Sequence, residues 1–319
     1  MPKRLLVVAT GGTISSGVSA QGFVPQKDAE DFRRLIAVPP GWALEVKDAG
    51  HSLSSNFDLD DMVRISNEVV GANADAVIVL HGTGIMEETV FLTEMRLASL
   101  SEHKAVVFTG AQRIASEPGA DGLQNLRDAV TVATHPMAWR FGASVVFEGM
   151  VLAANEVAKS DSWSLHAFTS GTAGVLARVF MNQIQIIHWP AWRFPCFGDT
   201  VEPAVDLVWF AGGMDGRRLR LKGLRGLVVA ASGVGNVNAT VAARIREAMD
   251  QGIVVVIATR TGAGPAFPLY GDEGGSRTLE TLGVHFSCLH PLKARLLLMA
   301  GLKGPQPIAD VIRGHLWGS

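Results

Sequence analysis

Val77-Ile-Val-Leu-His-Gly-Thr-Gly-Ile-Met-Glu-Glu-Thr89 begins as an apolar run too short for a buried helix, then turns at glycine. That pattern predicts a fully buried strand ending near Leu80, with the hydroxyl of Thr83 carried just past its carboxyl end. A second stretch, Leu5-Leu-Val-Val-Ala-Thr-Gly-Gly-Thr-Ile-Ser15, has the same design and delivers Thr13. In open α/β sheets ligands bind beyond the carboxyl ends of the strands. Two threonines placed there point to hydroxyl nucleophile chemistry.

Working outward, buried-strand runs recur at 4–9, 76–80, 105–108, 144–147, 206–210, 226–231 and 253–258. Amphipathic stretches between them predict helices over Glu88 to Leu100, with Phe91, Leu92, Met95 and Ala98 on the apolar side, over Leu123 to Ala133 and over Asn238 to Gln251. Two last helices are expected at Pro291 to Gly301 and Gln306 to Leu316. Such alternation means α/β with mainly parallel sheet. Ile187-His-Trp-Pro-Ala-Trp-Arg-Phe-Pro-Cys-Phe197 mixes proline with bulky aromatics and has neither helical nor strand period. It marks a boundary, giving a catalytic α/β domain over 1–188, a linker over 189–203 and a smaller α/β domain over 204–319.

At 319 residues and 48% hydrophobic composition the chain is long enough to bury two cores. A net charge of −2 supplies no electrostatic reason to expect nucleic acid or an anionic membrane as partner. A small, compact molecule is the expected partner. Cys196 and Cys288 lie far apart and form no zinc-type spacing, which suits a reducing cytoplasm. The N-terminal Lys3-Arg4 and the apolar run after it imitate a secretory signal, but the run breaks at Gly11-Gly12. No segment reaches the roughly 18 uninterrupted apolar residues of a membrane span.

A hydroxyl attacks a carbonyl at neutral pH only if a base removes its proton. The candidate amine is Lys159, in Val157-Ala-Lys-Ser-Asp-Ser162. Considered singly, a Thr-Gly-Gly-Thr turn is also a structural or phosphate-cradling loop, and a lone lysine is usually solvated. The glycine spacing fails the dinucleotide pattern. No Ser-His-Asp or Cys-His arrangement competes, and there is no H-E-x-x-H, so neither a metal nor an organic cofactor is expected.

Together these residues resemble the bacterial-type L-asparaginase family, amidohydrolases with a threonine nucleophile. Ala9-Thr-Gly-Gly-Thr-Ile14 is similar to the family's first signature and His81-Gly-Thr-Gly-Ile-Met-Glu-Glu-Thr89 to its second, usually H-G-T-D-T-M-E-E-T. The likeness continues through Phe108-Thr-Gly-Ala-Gln-Arg113, Asp121-Gly-Leu-Gln-Asn-Leu-Arg-Asp128, Glu156-Val-Ala-Lys159 and Ser232-Gly-Val-Gly-Asn-Val-Asn238. It ends in Leu289-His-Pro-Leu-Lys-Ala-Arg-Leu-Leu-Leu298, and so covers nearly the whole chain. The resemblance implies a larger N-terminal and a smaller C-terminal α/β domain, assembled as homodimers or homotetramers. By motif, it implies Thr13 as nucleophile after Gly12, Thr83 as the threonine that relays with Lys159, and Ser54 as the holder of the substrate α-carboxylate. Ser55 is the next position of that loop, Ser52-Leu-Ser-Ser-Asn-Phe57.

Two positions depart from the family pattern. Gly84 stands where the family has the aspartate that grips the substrate α-ammonium and partners the lysine, and Phe23 stands where many members have a tyrosine that orients the nucleophile. An ammonium bound without its carboxylate loses a charge-assisted hydrogen bond and bears desolvation, about 3 kcal/mol or more, which is roughly a hundredfold in affinity. Free asparagine is then expected to be a poor substrate. The space beside Gly84 suits an amide whose α-nitrogen is absent, acylated, alkylated or in a ring. Losing the carboxylate also lowers the lysine pKa, and Asp161 or Glu87 are the acids weighed as replacement partners.

The expected function is hydrolysis of an amide of a small aspartate- or succinate-type compound through Thr13. Two alternatives remain at this point: a genuine L-asparaginase with a rebuilt ammonium site, and a non-catalytic protein that binds a small carboxylate.

Overall fold

The apolar runs at 4–9 and 76–80 become neighbouring parallel strands, paired from Leu5 with Ala76 to Ala9 with Leu80. Because both are buried through the paired stretch from Leu5 and Ala76 onward, their side chains supply two cores at once. Leu5, Val7, Ala9, Ile78 and Leu80 point to one face and Leu6, Val8, Val77 and Val79 to the other. Strands covered on both faces lose the polar alternation of a half-exposed sheet, which explains their continuous apolar sequence.

The computed structural model describes residues 1–19, 22–25, 29–97, 104–191 and 198–313. The chain divides into two compact units, Met1–Cys196 and Phe197–Ser319. The first unit runs β1 (Lys3–Gly11), β2 (Ser16–Ser19), β3 (Gly22–Pro25), α1 (Ala29–Leu35), β4 (Trp42–Ser52), α2 (Leu59–Gly71), β5 (Ala76–Leu80) and α3 (Met86–Leu97). It continues with β6 (Ala105–Thr109), α4 (Gly122–Ala133), β7 (Ala143–Phe147), β8 (Met150–Ala153), the short pair β9 (Ala158–Lys159) and β10 (Phe168–Thr169), then β11 (Ala177–Phe180) and β12 (Gln183–Ile186). Its main sheet has the order β12-β11-β8-β7-β6-β5-β1-β4. The five strands from β7 to β4 are parallel, and β8, β11 and β12 add an antiparallel edge. Helices α1 and α4 cover one face through Phe32, Leu126 and Val130; α2 and α3 cover the other through Ile65, Val69, Met86 and Val90.

The chain leaves β1 toward β4 on one side, then crosses back to β5 on the other. The strand order therefore reverses between β1 and β5, and the carboxyl ends of strands at such a switch point are where these sheets bind ligands. Both threonine turns emerge there.

The second unit carries β13 (Val205–Trp209), β14 (Gly226–Ala231), α5 (Ala239–Asp250), β15 (Val254–Thr259), α6 (Ser276–Glu280), β16 (His285–Phe286), α7 (Pro291–Gly301) and α8 (Ile308–Arg313). Its four strands form one parallel sheet in sequence order. Asn238 caps α5 by accepting from Val241 N at 3.0 Å, and Pro291 opens α7 at a position where no backbone donor is needed.

Several expectations change. The helix predicted from Glu88 begins at Met86, and it has no single apolar side: Thr89, Thr93 and Glu94 are buried along with Phe91, Leu92 and Met95. Glu94 and Thr93 find partners within the protein. Glu94 accepts from Ala143 N at 2.6 Å and Thr93 donates to Thr89 O at 2.8 Å. Ala98 to Leu100 lie outside the described residues, as do 314–316 of the last expected helix and 192–197 of the expected boundary. Helix α2 was not anticipated, although Asp58 and Asp61 form a reciprocal capping box ahead of Met62, Ile65 and Val69. Edge strand β4 was also missed, because a strand with one exposed face lacks the continuous apolar run used to find the others. Trp189, in the aromatic stretch, stacks on Phe141 with centroids 4.9 Å apart and lies under the Arg140 guanidinium at 4.2 Å.

Candidate active site

At the end of β1 the chain turns through Gly11 and Gly12, both with positive φ, into a short 3-10 turn, Thr13–Ser15. Ser15 and Ser16 hydroxyls both donate to Gly12 O, at 2.8 and 2.9 Å, and so tie the turn to itself. Thr10 donates to Leu80 O at 3.0 Å and joins the ends of β1 and β5. The residues immediately before the two threonines then touch. A Cβ on Gly12 would lie 2.5 Å from Gly82 Cα, leaving room for hydrogen alone.

Ser54 is buried against the same loop from the far side, beginning the 3-10 turn Ser54–Asn56 after β4. A Cβ on Gly82 would meet its Oγ at 2.6 Å, and one on Gly84 would meet it at 3.1 Å. Gly12, Ser54, Gly82 and Gly84 thus form one surface, with Gly84 exposed. Ser55 is exposed beside it. The backbone of Phe23 pairs with Val18 in the β2–β3 hairpin that follows Thr13; its side chain lies outside what is described.

Thr83 is buried, and its Oγ1 accepts from Lys159 Nζ at 2.7 Å. The lysine comes from β9, held against β10 by pairing with Phe168. Burial pushes the Lys159 pKa below the ordinary lysine range, while the carboxylates of Glu87 and Asp161 act in the opposite direction. Both acids weighed from the sequence therefore act electrostatically on the lysine. Asp161 is itself exposed and held ionised chiefly by the backbone N–H groups of Ser164 and Trp163, each at 2.7 Å.

One residue of the cluster had been assigned no role from the sequence. Gln112 Oε1 accepts from Thr83 Oγ1 at 3.0 Å and from Lys159 Nζ at 3.2 Å. The only signal for it is its place in the quoted stretch Phe108–Arg113, just past the end of β6.

His81 completes the loop from beneath. It is fully buried between Phe57 and Phe108, and burial pushes its pKa down to about 4. The neutral ring donates from Nδ1 to Gly82 O at 2.7 Å. Among the described residues no group of three or more His, Cys, Asp and Glu is arranged to hold a metal ion, and no helix is long and apolar enough to cross a membrane.

A strand-end hydroxyl paired with a desolvated amine at the switch point of a parallel sheet is apparatus for acyl transfer. Comparison with known families shows which family the chain matches: the description "Asparaginase, N-terminal" matches residues 4–192 and "Glutaminase/Asparaginase C-terminal domain" matches residues 204–313. The chain belongs to the asparaginase family, hydrolases that act on carbon–nitrogen bonds. It is 34% identical over 313 residues to a probable L-asparaginase of Deinococcus radiodurans, spanning 93% of this chain and 92% of the relative. An L-asparaginase of Bacillus licheniformis is 26% identical over 293 residues, with 89% and 90% covered. The crystal structure of a probable cytoplasmic L-asparaginase from Campylobacter jejuni superposes with a TM-score of 0.83 at 25% identity, over 98% of this chain and 99% of that one.

Proposed function

We propose that this amidohydrolase cleaves the carboxamide of a small aspartate- or succinate-type compound that lacks a free α-ammonium. The Thr13 hydroxyl attacks the amide carbon, and Thr83 with Lys159 takes up the proton and returns it to the departing nitrogen. Backbone N–H groups at the Thr13 and Thr83 turns stabilise the oxyanion. Water then releases the acid from the acyl-enzyme. Ser54 Oγ receives the substrate carboxylate.

The observation that carries this substrate class is the exposed Gly84, which offers no side chain 3.1 Å from Ser54 Oγ. An aspartate at that position would set a carboxylate next to the serine and next to an incoming ammonium. Glycine leaves that corner uncharged and open.

Hydrolysis of free L-asparagine is the second reading, favoured by the names of the relatives. It requires an acid from elsewhere to meet the ammonium. Turnover of L-asparagine, succinamate and N-substituted asparagines, measured side by side, decides between them. A larger kcat/KM for succinamate or an N-substituted compound is expected, whereas dominant activity on free asparagine overturns the proposal.

A further inference from the structure

Gln112 is held at both ends of its side chain and at its backbone. Its N–H and that of Arg113 donate to the Asp121 carboxylate at 3.0 and 2.9 Å. Asn125 Nδ2 donates both to that carboxylate and to Gly110 O, at 3.0 and 3.1 Å, closing the turn between β6 and α4. The amide NH2 of Gln112 donates to Ser164 O at 3.1 Å and to Ser162 O at 3.4 Å. Two carbonyls on that side accept only from the NH2, so the partners themselves orient the amide and turn Oε1 toward Thr83 and Lys159. The flipped amide would set oxygen against two carbonyl oxygens and NH2 against an ammonium.

We propose that Gln112 is a positioning residue for the Thr83–Lys159 pair: an uncharged acceptor that fixes both groups without compensating the charge of the lysine. The inference rests on the reading above that Lys159 handles protons through Thr83. A carboxylate at this position would fix the same two donors, but it would stabilise the ammonium and hold the lysine protonated. Glu87 and Asp161 already act in that direction; a neutral amide adds nothing to it.

The amide also directs the hydroxyl hydrogen. While Lys159 is protonated it donates to the Thr83 oxygen, so the Thr83 hydrogen points to Gln112 Oε1. Once Nζ has lost a proton, the hydroxyl turns and donates to it, while a remaining Nζ–H keeps its bond to Oε1. Thr83 then passes its own proton to Nζ as its oxygen takes one from the attacking hydroxyl, and the count balances with the lysine as ammonium.

The test uses the full chain with succinamate, or with L-asparagine should the panel favour it, and follows kcat, KM and kcat/KM against pH together with Tm. Gln112→Met, which keeps length and removes the acceptor, is expected to lower kcat by about tenfold or more with a smaller change in KM. Gln112→Glu is expected to move the acidic limb of kcat/KM upward by about one pH unit, with activity recovering at high pH. Unaltered kcat in Gln112→Met, or an unmoved limb in Gln112→Glu accompanied only by a fall in Tm, overturns the proposal. Thr13→Ala run alongside separates the two levels. Turnover that survives it overturns the nucleophile reading, whereas a dead Thr13→Ala with an active, unshifted Gln112→Met overturns the role of Gln112 alone.

Discussion

Gly12 and Gly82 meet backbone to backbone, so closely that a methyl group on the first would lie 2.5 Å from the Cα of the second. This contact sets the spacing between the turns that carry Thr13 and Thr83. Gly12 also has φ of 84°, where a side chain is strained. Gly12→Ala should therefore cost about 2 kcal/mol or more in stability and abolish turnover by pushing the two turns apart. Thermal unfolding and kcat check it; a variant with normal kcat would show that the spacing is not critical.

Gly84→Asp is expected to fold, since its Cβ meets only the end of the Ser54 side chain at 3.1 Å and no positive φ stands in the way. Restoring a carboxylate should shift the ratio of kcat/KM for L-asparagine over succinamate by roughly a hundredfold toward asparagine, the worth of one ammonium–carboxylate contact. If the ratio does not change, the ammonium site is made elsewhere.

His81 predicts an acid-sensitive fold. Its pKa falls from 6.5 in the unfolded chain to about 4 in the folded one, so the unfolded state binds the proton first as pH drops. Stability should be full above pH 6.5 and decline as pH falls toward 4, by roughly 3 kcal/mol from this group. His290, also lowered to about 4 by burial and by Lys293, contributes in the same window. The His81→Asn variant isolates one of them: its unfolding free energy, followed by calorimetry between pH 7 and 4.5, should lose less than that of the parent. Parallel curves would remove His81 from the account.

Lys104 is a buried charge with a structural task. Its ammonium donates to Val70 O at 2.7 Å and Ala72 O at 2.6 Å, satisfying carbonyls at the end of α2 where the helix has no donors left. Lys104→Met should destabilise the protein by about 2 kcal/mol, read as a lower denaturant midpoint, while KM stays near the parent value. An unchanged midpoint would mean that water replaces the ammonium at no cost.

Much of the scaffold was legible because burial on both faces writes itself into sequence as unbroken apolar runs. That is how β1, β5, β6, β7, β14 and β15 were found. Helix α7 was located to the residue by Pro291 and Gly301. Among the missed strands, β4 and the antiparallel edge of β8, β11 and β12 have an exposed face, are short, or both. The largely buried α3 misled in the opposite way. Glu94 and Thr93 look like part of a solvated face until Ala143 N and the Thr89 carbonyl turn out to be their partners.

The order of residues alone decided that two glycine turns follow two buried strands and that a threonine stands in each, since turn chemistry and strand burial are local properties of a short window. Only the family resemblance paired Thr83 with Lys159, and nothing in the sequence pointed to Gln112 as the third member of that contact. Lys159 lies 76 residues from Thr83 and 47 from Gln112, and the carbonyls that orient the Gln112 amide lie some 50 residues from it. Hydrogen bonds between side chains from different loops leave no periodic trace in sequence. The parallel crossovers collect the carboxyl ends of β5 and β6, and with them Thr83 and Gln112, at one edge of the sheet, and the separate antiparallel β9–β10 pair brings Lys159 within reach of both.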